Sequence, residues 1–171
     1  MKRIIYLAFA VLLMGSCQQQ KIGFIDNGKV INDYQEKKEI EERYKMLEEA
    51  FKKKADSIGQ EFQKEAQEFQ QNSTKMTPKK AQEAYESLGK KQQMLQQQFQ
   101  FEQQQITQGF QKEIDSVILK VKDFVREYGK TNGFTYILGT SETAASVIYG
   151  KEENDLSQTI IDALNADYNK E

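Results

Sequence analysis

The sequence predicts an α+β fold: a small β-strand body of three short strands and short helices, carrying a long antiparallel helical hairpin (coiled-coil type) as an arm. Apolar residues recur every three or four positions from Gln35 to Gln71 and again from Pro78 to about Tyr128, the period of an amphipathic helix. The single proline, Pro78, separates the two stretches, directly after Asn72-Ser73-Thr74-Lys75-Met76-Thr77. Segments with strand character lie only outside them, near residue 21 and after residue 133. Two long helices that meet at one break make an arm, and arms reach, clamp or space things.

The chain opens with Lys2 and Arg3, an apolar run from Ile4 to Met14, and Gly15-Ser16 before the only cysteine, Cys17. That order is a secretory signal peptide, with an apolar run too short to span a bilayer well. Met14-Gly15-Ser16-Cys17 resembles the lipobox of bacterial lipoproteins, which implies cleavage after residue 16 and a lipid on Cys17. The plainer reading of Cys17 is an ordinary thiol, since a lone cysteine cannot form an internal disulfide. A lipid would hold the protein at a bacterial membrane without inserting the polypeptide. The expected organisation is 1–16 signal peptide, 17–34 first strand and short helix of the body, 35–129 arm with its tip at 72–78, and 130–171 the remaining body.

Lys21-Ile22-Gly23-Phe24-Ile25-Asp26 reads as a strand, and Asp26 or Asn27 as the cap of a short helix through Val30, Ile31 and Tyr34. The outgoing helix carries the seam Ile40, Tyr44, Leu47, Phe51, Ala55, Ile58, Phe62, Ala66, Phe69, in steps of 4-3-4-4-3-4-4-3. This is close to an eleven-residue repeat, which winds straight or slightly right-handed. Thr77 and Pro78 suit the N-cap and first position of the return helix. Its seam runs Ala81, Tyr85, Leu88, Leu95, Phe99, Ile106, Phe110, Ile114, Val117, Val121 and then Phe124 or Val125. Gly59, Gly89 and Gly109 interrupt these helices, each at about 1 kcal/mol against alanine. They are either tolerated surface glycines or the marks of a compliant arm. Gly129 is expected to stop the helix and Asn132-Gly133 to turn the chain. Phe134–Gly139 and Ala145–Gly150 are expected to form a hairpin, and Asn154 or Asp155 to cap a last helix through Leu156, Ile160, Ile161 and Leu164.

The chain has 24 basic and 26 acidic residues; removing Lys2 and Arg3 with the signal leaves 22 against 26, a net of −4. Such a balance gives no reason to expect nucleic acid, which calls for a clustered positive field. With no histidine and one cysteine, zinc and haem have almost no ligands. Glu41-Glu42 and Glu48-Glu49 are adjacent on a helix and do not face each other. No catalytic residue, metal site or cofactor is expected.

The order strand, short helix, long helical hairpin, two strands, final helix resembles the Skp/OmpH family of periplasmic chaperones. The residues that carry the likeness are Lys21-Ile22-Gly23-Phe24-Ile25-Asp26-Asn27, Phe134-Thr135-Tyr136-Ile137-Leu138, Ala145-Ser146-Val147-Ile148-Tyr149 and Asp155-Leu156-Ser157-Gln158-Thr159-Ile160-Ile161. The resemblance implies a homotrimer joined through the small body, whose arms enclose unfolded outer-membrane proteins without ATP. It also implies a periplasmic location and no enzymatic activity. The family's best-studied members are strongly basic and soluble, whereas this chain is mildly acidic and reads as lipid-anchored, so electrostatic client capture and lipopolysaccharide binding are not carried over. The alternative is a coiled-coil lipoprotein that spaces or scaffolds the envelope.

Apolar residues that miss the seams are the more telling ones. Met46 lies about 200° around the helix from Tyr44, Phe101 stands likewise to Phe99, Met94 shares the stripe of Phe101, and Met76 sits in the tip. Methionine adapts to many apolar partners, so these four are the candidate client contacts; exposed single hydrophobes are also common. From Gln92 to Gln111, 11 of 20 residues are glutamine and only Glu102 is charged, a solvated face or a wettable surface for a mobile client. Lys75, Lys79 and Lys80 mark the arm tip with no acid from Gln70 through Gln82, a solvated end or a contact for anionic lipid or an acidic client.

Overall fold

The computed structural model describes residues 20–170, so the signal-peptide and Cys17 assignments lie outside the described residues. The elements are β1 (Ile22–Asp26), α1 (Asn27–Asp33), α2 (Gln35–Ser73), α3 (Pro78–Thr131), β2 (Tyr136–Thr140), a 3-10 turn (Glu152–Asn154) and α4 (Ser157–Tyr168). They fall into two units, residues 20–31 with 121–170, and residues 32–120.

In the first unit β1 and β2 lie parallel, in register from Ile22 opposite Tyr136 to Asp26 opposite Thr140. Parallel neighbours need a long crossover, and the helices between them supply it. Asp26 caps α1 by accepting the Lys29 N–H at 3.0 Å. The other edge of β1 is used by the segment before α4, where Leu156 N–H donates to the Phe24 carbonyl at 2.8 Å. Gly23 allows this approach, since a Cβ there would lie 2.5 Å from the Leu156 side chain. Ser157 closes the join: its buried Oγ accepts the Asp26 N–H at 2.8 Å and donates to Asp155 Oδ1 at 2.6 Å. Asp155 also accepts the Ser157 N–H, so of the two residues expected at this start it is Asp155 that bonds. Ile25, Val30, Val121, Leu156, Ile160, Ile161 and Leu164 are the buried apolar residues of this unit.

Three expectations are corrected here. Helix α3 passes Gly129 and ends at Thr131; Gly133, at φ +69°, supplies the left-handed residue that stops it. Phe134 N–H donates to the Gly129 carbonyl at 2.9 Å and Gly133 N–H to that of Lys130 at 3.3 Å, the paired bonds of a Schellman cap. The described residues hold two strands where three were expected, because Ala145–Gly150 is irregular and makes no hairpin with β2. The physical reason is a local ring after β2: Ser141 N–H donates to the Ala144 carbonyl, and Ala144 N–H to Ser141 Oγ at 3.1 Å. Ser146 N–H donates to the Ala144 carbonyl as well, so these groups bond within the loop and not along β2. The strand at 134–139 is also displaced, to Tyr136–Thr140, since Phe134 packs by Tyr128 at 6.2 Å and under Lys21 Nζ at 4.0 Å.

In the second unit α2 and the first part of α3 form the expected antiparallel hairpin. At about 1.5 Å per residue the 39 residues of α2 extend roughly 58 Å. Four ion pairs tie the helices: Glu65–Lys91, Lys54–Glu102, Arg43–Glu113 and Glu36–Lys120. Their sequence separations are 26, 48, 70 and 84, each centred on Pro78. The first three differ by 22, eleven residues on each helix, so the charges follow the eleven-residue repeat of the apolar seam. The α2 member is basic at residues 43 and 54 but acidic at 65. A slip of one repeat would therefore set Lys54 against Lys91, or Glu65 against Glu102. Exposed pairs contribute about 0.2–1 kcal/mol each; their larger role is to fix the register.

The inner faces meet through Phe51 and Phe99 at 6.1 Å and Tyr44 and Phe110 at 5.4 Å, both edge-on. Burial of the Tyr44 hydroxyl, with the bond it donates to Glu113 at 2.8 Å, pushes its pKa above the ordinary value. Two seam residues are corrected. Tyr85 is exposed and Ala84 is half-buried in its place, a small side chain that lets the helices approach while the phenol stays in water. Leu47 is also exposed, about 60° off Tyr44 on the flank of the seam.

The three glycines separate into two kinds. A Cβ at Gly59 or Gly89 would meet nothing within 4 Å, whereas one at Gly109 would lie 2.6 Å from the Tyr44 hydroxyl. Gly109 is thus a close-approach glycine that makes room for the Tyr44–Glu113 bond. Gly59→Ala and Gly89→Ala are expected to raise stability by about 0.5–1 kcal/mol each, and Gly109→Ala to lower it. Urea titration of the three variants checks this; destabilisation by the first two would contradict it.

Candidate functional site

On α3, Phe110 faces Tyr44. At 100° per residue Phe101 lies half a turn from Phe110, Met94 falls within about 20° of Phe101, and Leu119 aligns with it. These three form a stripe on the side away from the seam, and Met46 takes the corresponding side of α2. All four are between 58 and 63 % exposed. Leu119 escaped the sequence reading because Val117, Ile118 and Val121 surround it with apolar neighbours; its eighteen-residue spacing from Phe101, five full turns, is the signal that finds it.

The stripe runs through the glutamine-rich stretch. Its one charge, Glu102, is taken by Lys54 Nζ at 2.7 and 2.9 Å. One turn either side of Phe101 stand Gln97, Gln98, Gln104 and Gln105, amides that hold water without imposing a charge; Lys90 and Lys91 precede Met94, and Leu119, beyond the stretch, is flanked by Asp115, Lys122 and Asp123. Nearer the turn, Phe62, Ala66, Phe69, Tyr85, Leu88 and Gly89 line an open groove of about 620 Å³. Met76 is exposed in the turn itself, beside exposed Lys75, Lys79 and Lys80.

The first unit carries a separate apolar surface. Ile148 and Tyr149 are 94 and 86 % exposed, and Ile22, Tyr136 and Leu138 stand out from the sheet. Strand β2 pairs with β1 alone, so among the described residues its outer edge has no partner strand. The segment expected as a third strand, Ala145–Gly150, thus carries the two most exposed large hydrophobes, in the same unit as an open edge.

Among the described residues no group of histidine, cysteine, aspartate or glutamate is placed to hold a metal. No helix among them is long and apolar enough to cross a membrane.

Comparison with protein families matches the chain over residues 21–164 to the family described as outer membrane protein (OmpH-like). The chain belongs to the OmpH-like family. Comparison with curated proteins gives no match. Among solved structures, the chain is similar to an OmpH-like candidate outer membrane chaperone from Caulobacter crescentus, with a TM-score of 0.77 and 13 % identity. The likeness covers 87 % of this chain and 86 % of that one. At that identity the match establishes a shared fold, a mostly helical chain with long helices and a small sheet.

Proposed function

We propose that this OmpH-like protein is a periplasmic, ATP-independent holdase that keeps unfolded outer-membrane or other periplasmic proteins from aggregating, and that it does no catalysis. The observation that carries the reading is the exposed apolar stripe of Met94, Phe101 and Leu119, with Met46 on the other helix and Met76 at the turn. Membership of the OmpH-like family supports it. Burying apolar area contributes about 25 cal/mol per Å², so covering about 50 Å² at each position gives about 1 kcal/mol apiece. Several such contacts hold a client, and each releases quickly. Methionine and phenylalanine fit this use because they accept many apolar shapes, and around Phe101 the glutamines impose no charge pattern.

The working form in this reading is a homotrimer whose copies join through the first unit and whose hairpins surround the client. The open β2 edge and the exposed Ile148 and Tyr149 support assembly. So does size: a body of some sixty residues with a two-stranded sheet is marginal alone. A lipid on Cys17 would keep the protein at a bacterial membrane. Cells fed labelled palmitate should then incorporate it into the wild-type protein and not into Cys17→Ala. A wild-type protein that takes up no label would refute the anchor. The holdase itself is tested by diluting a denatured barrel protein into the purified protein without nucleotide and following turbidity, which the protein should suppress.

A further inference from the structure

We propose that a groove between the end of α3 and the start of β2 seats the first unit on an anionic lipid surface. The groove, of about 360 Å³, is lined by Lys122, Arg126 and Lys130 from α3 and by Phe134, Thr135 and Tyr136. The three basic residues are exposed and four apart, so they follow one side of the helix. No carboxylate lines this groove. Three other grooves among the described residues carry both signs: Lys151 with Glu153, Lys90 with Glu86, and Lys45 with Glu41 and Glu48.

Arg126 and Lys130 each also hold an acid three residues back on α3, Asp123 at 2.5 Å and Glu127 at 2.6 Å. Those acids stand about 100° round the helix from Lys122 and Arg126 and outside the groove, and exposed pairs of this kind are weak enough to exchange. Among the described residues Lys122 makes no ion pair. A helix end favours cations only within its last turn. That accounts for Lys130 and leaves Lys122 and Arg126 unexplained by the helix alone.

Charge selects an anionic occupant, and the reach of the chain selects a lipid surface. Lys21 is fixed at this same end of the unit. Its carbonyl accepts the Thr135 N–H at 2.7 Å, and its Nζ donates to the Asn132 carbonyl at 3.0 Å and lies over the Phe134 ring at 4.0 Å. Cys17 precedes Lys21 by four residues, a reach of at most about 14 Å. A lipid on Cys17, the reading on which this step rests, therefore holds the groove end of the unit at the headgroups. Lysine and arginine meet phosphate there, and Tyr136 suits the boundary with the acyl chains.

The chain has no tryptophan, so Tyr136→Trp gives residues 18–171 a single reporter in the groove. The vesicles are phosphatidylcholine with 40 % phosphatidylglycerol, brominated near the headgroup end of the acyl chains. At 0.1 M salt they are expected to shift the fluorescence to the blue and quench it, and brominated vesicles of phosphatidylcholine alone to do neither. Each cation near such a surface contributes about fivefold in affinity, so adding Lys122→Gln, Arg126→Gln and Lys130→Gln should weaken binding roughly 100-fold. Lys52→Gln, Lys53→Gln and Lys64→Gln remove the same charge from exposed positions on α2 and should leave binding within about twofold. Unchanged helical circular dichroism shows that the variants are folded. The proposal is overturned if the reporter responds to neither vesicle or equally to both, or if the two triple variants bind alike. It is also overturned if the groove variant lowers the particle mass in light scattering, since the groove would then join copies of this chain. Residues 18–171 lack Cys17, so a failure here is distinct from a failure of the palmitate label, which tests the anchor alone.

Discussion

Replacing Ile148 and Tyr149 by aspartate is expected to turn the assembled protein into a single chain. Both side chains are almost wholly in water in one protomer, so the change removes no packing within it and should leave the monomer's helicity intact. In the proposed trimer these positions would be buried, and two carboxylates would then be desolvated against an apolar neighbour. An unpaired buried charge costs several kcal/mol, and a trimer carries the pair three times. Light scattering after size exclusion reads the result directly: wild type at three chains, the variant at one. If the variant keeps the wild-type mass, the copies join through some other surface.

Serine at Met46, Met94, Phe101 and Leu119 is expected to abolish most client binding while leaving the fold in place. None of the four belongs to the seam formed by Tyr44 with Phe110 and Phe51 with Phe99, and exposed substitutions away from packing usually shift stability by about 0.5 kcal/mol or less. Their loss removes about 1 kcal/mol of contact per position. Four positions acting on one flexible client give a change of at least about 30-fold in Kd, measured by fluorescence titration with an unfolded barrel protein. The same variant carrying serine only at Met46 and Met94 should fall between the two. Wild-type affinity in the fourfold variant would remove the stripe from the account.

Much of this architecture was legible because the hairpin depends on period and punctuation. The single proline, the eleven-residue drift of the apolar steps and the thin Gly and Pro content of the helices all act locally. The ion pairs were less legible: Glu36, Arg43, Lys54 and Glu65 look like ordinary surface charges until the partner helix is laid beside them. The seam was misread at Tyr85, where spacing allows either Ala84 or Tyr85, and only the close approach of the two helices decides between them. The body was read least well. Ala145–Gly150 has strand composition, and composition reports a preference for a pleated, half-buried surface without supplying the partner strand. In one chain, Ser141 and Ala144 satisfy each other and the segment stays irregular. The exposure of Ile148 and Tyr149 was hidden for the same reason. Off-seam placement of Met46, Met94 and Phe101 followed from helical angle alone, since long helices keep their phase.

The most direct test of the central claim is the mass of the complex formed when residues 18–171 are mixed, without nucleotide, with a denatured outer-membrane barrel protein. A soluble particle of three chains and one client, with turbidity suppressed, is the predicted result. A single chain that leaves the client to aggregate would contradict it and favour a spacer that scaffolds the envelope.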